Sequence, residues 1–526
     1  MATSESKPRR SAHTTAWLLL LAFLACLTLP MLTRRGMFID GIFFAAVSRN
    51  LAVGIGDAWH LQYSETFMTQ FREHPPLGFV LESWWFRVLG DHYWVERLYS
   101  LSTAVVSGGL MILLWRQLAR EHHRVQACAW LPILLWVLMH GWRGAYGNNL
   151  LENTLGCFTL LAVYSLIRVI DGRAALWLPV AALSIVAALF TKGPVGLFPL
   201  ATPAIAWLTV GRCGGFFPSR WSTDPDGAAR PYRLGRLVVL QTVLLALVVA
   251  GAAAVLQNAD ARQFVREYWQ QQVVASLSGQ REIVASTFGR LFIFVSLANA
   301  LLVPAAIAVL SVAIARWRKL ECAGAVVLGR PVLFCLLTGL SASLPLAISP
   351  KQRGFYTAPS WPFFALALAL WCAPAMLALL DRHYSTAQAP RRHLVWRMFA
   401  GVVAIAASVV AIVLAGAAQR DRAALADAAA IAQHVPPHTT LTVTPGLGPS
   451  GAMHAYLYRT HYISVSVDDV PPQGRFRLEA KTPATNLGAS GSEQPSNVVL
   501  STDRVVLREP TYGENVTAAA HDRPAK

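Results

Sequence analysis

Residues 176–210 read LWLPVAALSIVAALFTKGPVGLFPLATPAIAWLTV. Two apolar runs, 176–190 and 195–210, flank the break Thr191-Lys192-Gly193-Pro194, and Lys192 is the only charge in the stretch. Such runs have no polar face to offer water, so they predict helices crossing a hydrocarbon layer about 30 Å thick, joined by a tight hairpin. Comparable runs recur on both sides: 14–32, 98–115, 126–139 and 154–170 before it, then 237–256, 291–315, 332–348, 358–380 and 398–417 after it. The expected fold is a polytopic α-helical membrane protein with about eleven transmembrane helices. Several runs fall short of the ~20 residues of an ideal span, which leaves room for tilt or a re-entrant pair.

Composition agrees. Of 526 residues, 55% are hydrophobic and only 14% charged, with a mean hydropathy of +0.43, outside the balance of a soluble domain. The net charge of +17 does not signal nucleic acid, because the basic residues recur in short clusters between apolar runs rather than forming one patch. Seven cysteines show no CxxC pair and no disulfide framework. Lys7-Pro8-Arg9-Arg10 precedes the first run without a small-x-small cleavage site before Arg34, so the first helix is expected to stay uncleaved.

Alternate loops differ in charge. One set carries Arg116, Arg120, Arg124, Arg173, Arg212, Arg220, Arg230, Arg316, Arg318, Lys319, Arg330, Arg382, Arg391, Arg392 and Arg397, and the positive-inside rule makes it cytoplasmic together with residues 1–13. Within the membrane domain, 14–417, the other set holds the long polar loops 33–97 and 257–290 with the shorter 141–153 and 349–357, and is expected outside. Residues 418–513 turn to a soluble mixture. A helix over 421–433, strands at 439–444, 463–467, 476–479, 498–501 and 504–508, and a helix over 452–461 predict a small α/β external domain. Residues 482–496 read as a mobile loop and 514–526 as a disordered tail. No internal repeat is evident.

Chemistry is expected in the outside set. Asp40 follows the first span by a few residues, where a carboxylate can act as general base beside a lipid head group or can cap the helix that starts near Ile42. Glu73-His74-Pro75-Pro76 fixes an acid and an imidazole ahead of another apolar segment; the two suit a divalent metal but fall short of a closed ligand set. Lys192 in its hairpin, and Lys351, Arg353 and Tyr356 in Ser349-Pro350-Lys351-Gln352-Arg353-Gly354-Phe355-Tyr356, suit a lipid phosphate or, equally, anchoring of helix ends at the head groups.

In order and on one side, an early Asp40, Glu73-His74-Pro75-Pro76-Leu77, Val95-Glu96-Arg97-Leu98-Tyr99-Ser100, Thr191-Lys192-Gly193-Pro194 and Lys351-x-Arg353-x-x-Tyr356-x-x-Pro359 follow one another. This order resembles the GT-C glycosyltransferases, nearest the branch of protein O-mannosyltransferases and the lipid A aminoarabinose transferase, over about residues 34–362. The resemblance implies transfer of a sugar from a polyprenyl-phosphate donor, with a glycolipid, polysaccharide or protein as acceptor. The Ala- and Arg-rich composition without a retention signal points to a bacterial inner membrane, whose outside face is the periplasm. On that resemblance Asp40 would activate the acceptor with Glu73 as the second acid, and Lys351, Arg353 and Tyr356 would lie near the donor phosphate; Lys192 is a further cation for the departing lipid phosphate. The chain departs from the family where Gly41 follows Asp40 and His74 follows Glu73, and a metal stays open. No Walker loop or dinucleotide glycine fingerprint is present. A flippase or secondary transporter, the rival class, would need ionisable residues near the midplane, and the acids Asp40, Asp57, Glu65, Glu73, Asp91 and Glu96 lie in loops instead.

Overall fold

In a computed structural model, residues 6–210, 234–280, 288–321, 328–384, 389–444, 447–448, 451–467, 476–481 and 497–509 are described. The helices in chain order are α1 (Ser6–Thr33), α2 (Ile39–Ala52), α3 (Leu77–Leu89), α4 (Val95–Leu118), α5 (His123–Gln126), α6 (Trp130–Val137), α7 (Trp142–Gly147), α8 (Leu151–Ile170), α9 (Ala174–Lys192), α10 (Thr202–Val210), α11 (Leu234–Val255), α12 (Ala259–Tyr268), α13 (Ala275–Leu277), α14 (Phe292–Trp317), α15 (Gly329–Ser343), α16 (Trp361–Tyr384), α17 (Ala389–Val413), α18 (Arg422–Ile431) and α19 (Ala452–His461). Among the described residues, nine stretches are long and apolar enough to cross a membrane. The protein is an integral membrane protein.

The difference between nine and the expected eleven has two physical sources. Residues 174–209 form one apolar stretch of 36 residues, too long for a single crossing. It turns at Gly193, whose φ of +78° suits glycine. A Cβ on Gly196 would lie 2.6 Å from the Ala188 backbone, so the chain folds back along α9. The expected span at 126–139 is corrected: α6 has 8 residues and α7 has 6, broken at Gly141 with φ +96°. Trp130 Nε1 donates to His13 near the start of α1, and the Tyr146 carbonyl accepts from Ser100 near the start of α4, so the segment runs from one end of the bundle to the other as two short, buried helices. Residues 141–147, expected as open loop, belong to it.

Burial separates inner from outer helices. The α8 and α16 spans are 72% and 67% buried, while those of α11 and α17 are 11% and 17% buried and face lipid. The first and last spans run parallel along one another: Arg397 Nε donates to Thr15 Oγ1 at 3.1 Å near one end, and Thr33 Oγ1 donates to the Ala411 carbonyl at 2.7 Å near the other. The chain start and the C-terminal sheet therefore lie at opposite ends of the bundle. At the end shared with the chain start, Arg124 pairs with Asp381 and Arg120 with Asp171.

At the other end, Arg35 forms a parallel bridge with Ala418, tying the first loop to the chain after α17. The loop at 33–97 is built rather than open, holding α2 and α3. Beyond α18 comes a five-stranded sheet of β1 (Thr440–Val443), β2 (Ser464–Ser466), β3 (Arg477–Ala480), β4 (Val498–Ser501) and β5 (Val505–Arg508), in the order β2-β1-β3-β5-β4. β1 is parallel to β2 and β3; β5 is antiparallel to β3 and β4. Alternate residues Leu441, Val443, Leu478, Val505 and Leu507 are buried, the period of a half-buried strand. Their core is continuous with Phe43 and Val47 of α2 and with Tyr63, Phe71 and Phe79, so the first loop and the sheet share one apolar interior. The expected mobile loop at 482–496, the tail at 514–526, and Arg212, Arg220 and Arg230 lie outside the described residues.

Candidate active site

Asp40 stands in the first turn of α2. Phe38, not Asp40, occupies the N-cap place, and its N–H donates to Asn148 Oδ1 at 2.6 Å. The helix start is pressed against the chain before α8: a Cβ on Gly41 would lie 2.0 Å from the Asn148 carbonyl oxygen, so only glycine lets this backbone approach. That accounts for the Asp-Gly pair at the point where the sequence departs from the family pattern.

Around Asp40 the fold gathers charge from four elements. Burial pushes its carboxyl above the ordinary aspartate range; Lys192 and Lys351 pull it down, while Glu152 and Glu73 push it up. Lys192 ends α9, and its Nζ bonds Glu152 Oε1 at 2.5 Å, with the two side chains 12% and 1% exposed. The Tyr356 ring centroid lies 5.1 Å from the same Nζ. Gly193 seats against Tyr268, whose hydroxyl a Cβ would meet at 2.2 Å, so the Lys192 backbone is fixed from behind.

Glu152 was not singled out from the sequence. It sits in the first turn of α8, and its Oε2 is buried without a hydrogen-bond partner. The available signal was an acid immediately ahead of an apolar run. Gln352 also escaped notice, being uncharged. Its side chain is buried, with Oε1 accepting from the Ile293 N–H at 3.0 Å and Nε2 donating to the Arg290 and Ser349 carbonyls at 2.9 and 3.2 Å. It clamps the turn that carries half-buried Lys351 on one side and exposed Arg353 on the other. Arg72, buried beside Glu73, donates to Glu267 Oε2 at 2.9 Å and ties the first loop to α12.

The other acids of this end serve structure, Glu96 from the first turn of α4 and the rest from loops. Asp57 closes a turn on the Trp59 and His60 N–H groups, Glu65 pairs with His438, and Asp91 and Glu96 both bond Arg459. One further carboxyl, Glu82 of α3, is fully buried between Ser48 Oγ and Asn149 Nδ2, each at 2.7 Å, and burial pushes it up to about 8, so it holds a proton at neutral pH.

Of the expected residues, Asp40, Glu73, Lys192 and Lys351 share one electrostatic neighbourhood, and Tyr356 joins through Lys192. Arg353 sits at its exposed edge. The His74 ring packs edge-on to Phe44 at 5.4 Å. Among the described residues no group of three or more His, Cys, Asp or Glu side chains is arranged to hold a metal ion. Glu73 and His74 stay a pair, a donor set too small for a closed site.

No family model matches the sequence, and no curated protein matches it either. The solved structure of ArnT from Cupriavidus metallidurans in the apo state superposes with a TM-score of 0.59 at 16% identity, 94% of this chain covering 98% of that one. This chain has the ArnT fold. The same ArnT bound to undecaprenyl phosphate gives 0.58 at 15% identity, with 96% and 99% covered. The likeness runs over nearly the whole chain, and the fold is the GT-C type expected from the order of its motifs.

Proposed function

We propose that the protein is a membrane glycosyltransferase that moves a sugar from a polyprenyl-phosphate donor to an acceptor at the end of the bundle carrying Asp40. The observation that carries the reading is the grouping of one partly buried carboxyl, Asp40, with two cations, Lys192 and Lys351, on an ArnT-type fold. The solved ArnT that holds undecaprenyl phosphate supports a lipid phosphate as donor carrier.

The step is an inverting displacement at the anomeric carbon. Asp40 takes the proton from the acceptor as the new bond to carbon forms, and the bond to the phosphate oxygen breaks on the opposite face. The negative charge gathered on the departing polyprenyl phosphate is met by Lys351, with Arg353 at the rim and the Lys192 donors not used by Glu152. A base whose affinity for protons is raised by burial is better matched to neutral pH than an exposed aspartate. Glu73 holds Asp40 in that range as a neighbouring negative charge. No step draws on a metal.

By the positive-inside rule the end bearing Arg116, Arg124, Arg316 and Arg382 faces the cytoplasm, which places Asp40 and the sheet in the periplasm of a bacterial inner membrane. Lys351→Ala is the test of donor recognition. Loss of one charge-assisted hydrogen bond, about 1.5–3 kcal/mol, weakens undecaprenyl phosphate binding to the purified protein by roughly 10- to 100-fold. Unchanged binding would remove Lys351 from the donor site.

A further inference from the structure

A second set of cations, none of them used in the reaction above, lies beside the start of α2. A cavity of about 190 Å³ is lined by Met31, Gly36, Arg97, Arg143, Gly144 and Arg420, among others. It opens where α1 ends, at the level at which a span leaves the hydrocarbon. The leading charges on Asp40 are Lys192, Glu152, Glu73 and Lys351, and none of these arginines is among them.

Arg97 is 2% exposed, and its two terminal nitrogens donate to the Met31 and Gly36 carbonyls. Those bonds fix the guanidinium without neutralising it. Its sequence neighbour Glu96 bonds Arg459 at 2.9 Å and acts on Arg97 through its charge, without forming an ion pair with it. Among the described residues, no carboxylate forms an ion pair with Arg34, Arg97 or Arg143. The one acid at the rim, Asp421, stands 3.7 Å from Arg420 and also accepts the Tyr456 hydroxyl at 3.0 Å. Arg34, whose charge bears on Arg97, has its Nε buried without an acceptor. Arg34, Arg97, Arg143 and Arg420 outnumber the acids beside them, Glu96 and Asp421, and each of those acids is shared with another partner; that surplus of positive charge calls for an anion.

The walls suit a small one. Gly36 and Gly147 are closed against backbone and side chain, where a Cβ would lie 2.3 Å from the Arg420 carbonyl oxygen and 2.0 Å from Met31 Sδ. Gly144 faces open space, with nothing within 4 Å of its added Cβ. The volume is below the ~300 Å³ of ordinary small-molecule pockets, and arginine forks match phosphate oxygens in pairs. We propose that this cavity is a binding site for a phosphate oxyanion, carried by the head group of an anionic membrane lipid or present as free phosphate. Bound there, it joins the end of α1, the start of α4 and the chain after α17 through one shared counter-ion.

The test uses the full-length protein in nonionic detergent. Labelled short-chain phosphatidylglycerol is titrated against wild type, against Arg143→Gln, which removes an exposed charge from the rim, and against Gly144→Leu, which fills the cavity. The site predicts saturable, one-to-one binding that weakens at least tenfold in each variant, with diacylglycerol failing to compete. Competition by millimolar inorganic phosphate identifies free phosphate as a sufficient ligand, and failure of that competition identifies the lipid as the source; both support the site. Absence of saturable binding by either probe, or binding that neither substitution alters, overturns it.

Discussion

Asp40→Asn removes the proton acceptor while keeping the shape of the side chain, and the expected result is a loss of transfer of about 10²–10⁴-fold with the protein still folded in the membrane. The fold supports that separation. The start of α2 is held by the Phe38 N–H bond to Asn148 and by the close approach at Gly41, neither of which uses the Asp40 carboxyl. In the wild type, Asp40 must be ionised to act, and burial raises its proton affinity. Activity is therefore full above the raised value and falls as pH drops through it, so the acid limb of kcat/KM lies above that of an exposed aspartate. Lys351 pulls the carboxyl down, so Lys351→Ala moves that limb to higher pH. A variant Asp40→Asn with near-normal turnover, or an acid limb that ignores the loss of Lys351, would take Asp40 out of the reaction.

Replacing Arg459 by Met is expected to have the largest effect on stability. Arg459, 6% exposed in α19, donates to Asp91 Oδ1 at 2.5 Å and Glu96 Oε2 at 2.9 Å and lies over the Phe86 ring. Its carbonyl and that of Tyr458 accept from Arg49 of α2 at 3.2 and 3.3 Å, and Arg49 stands 3.7 Å from the Tyr462 ring centroid. The substitution strands the buried Glu96 carboxylate and leaves Asp91 with only Arg49, at 3.6 Å, of its two cations, a loss of about 3–5 kcal/mol. Burial alone would raise the Asp91 carboxyl, but Arg459 and Arg49 outweigh it and hold it below the ordinary range. Its contribution is present above the usual aspartate value and is lost as pH falls through the lowered one. Arg459→Met should lower the melting temperature in detergent, open the 418–509 region to protease, and reduce turnover because α2 also carries Asp40. Unaltered melting and protease resistance would show that the apolar interior shared by α2 and the sheet is sufficient alone.

The sequence made the spans legible because their composition is continuous, and it made the strands legible because buried Leu441, Val443, Leu478, Val505 and Leu507 alternate with less buried neighbours. Helix α19 matches the expected 452–461. The pass at 130–147 was misplaced because Gly141 breaks it into pieces shorter than any composition window can register. Asp40, Lys192 and Lys351 could be read as isolated charges in otherwise apolar surroundings, but their grouping depends on Glu152, which hides in the first turn of a span. Gln352 carries no charge to betray it. Glu96 and Arg459 are 363 residues apart, and nothing local to either foretells the pair. The cavity at Arg97 was hidden for the same reason: its walls come from four separate stretches of chain.

The central claim is that this end of the bundle transfers a sugar from a lipid phosphate. The most direct measurement reconstitutes the full-length protein in liposomes with a labelled polyprenyl-phosphate sugar and a membrane extract as acceptor source. The prediction is label moving from the polyprenyl phosphate to an acceptor, with release of the lipid phosphate and an inverted anomeric configuration. Label that crosses the bilayer while staying on its polyprenyl carrier would contradict it and make the protein a flippase.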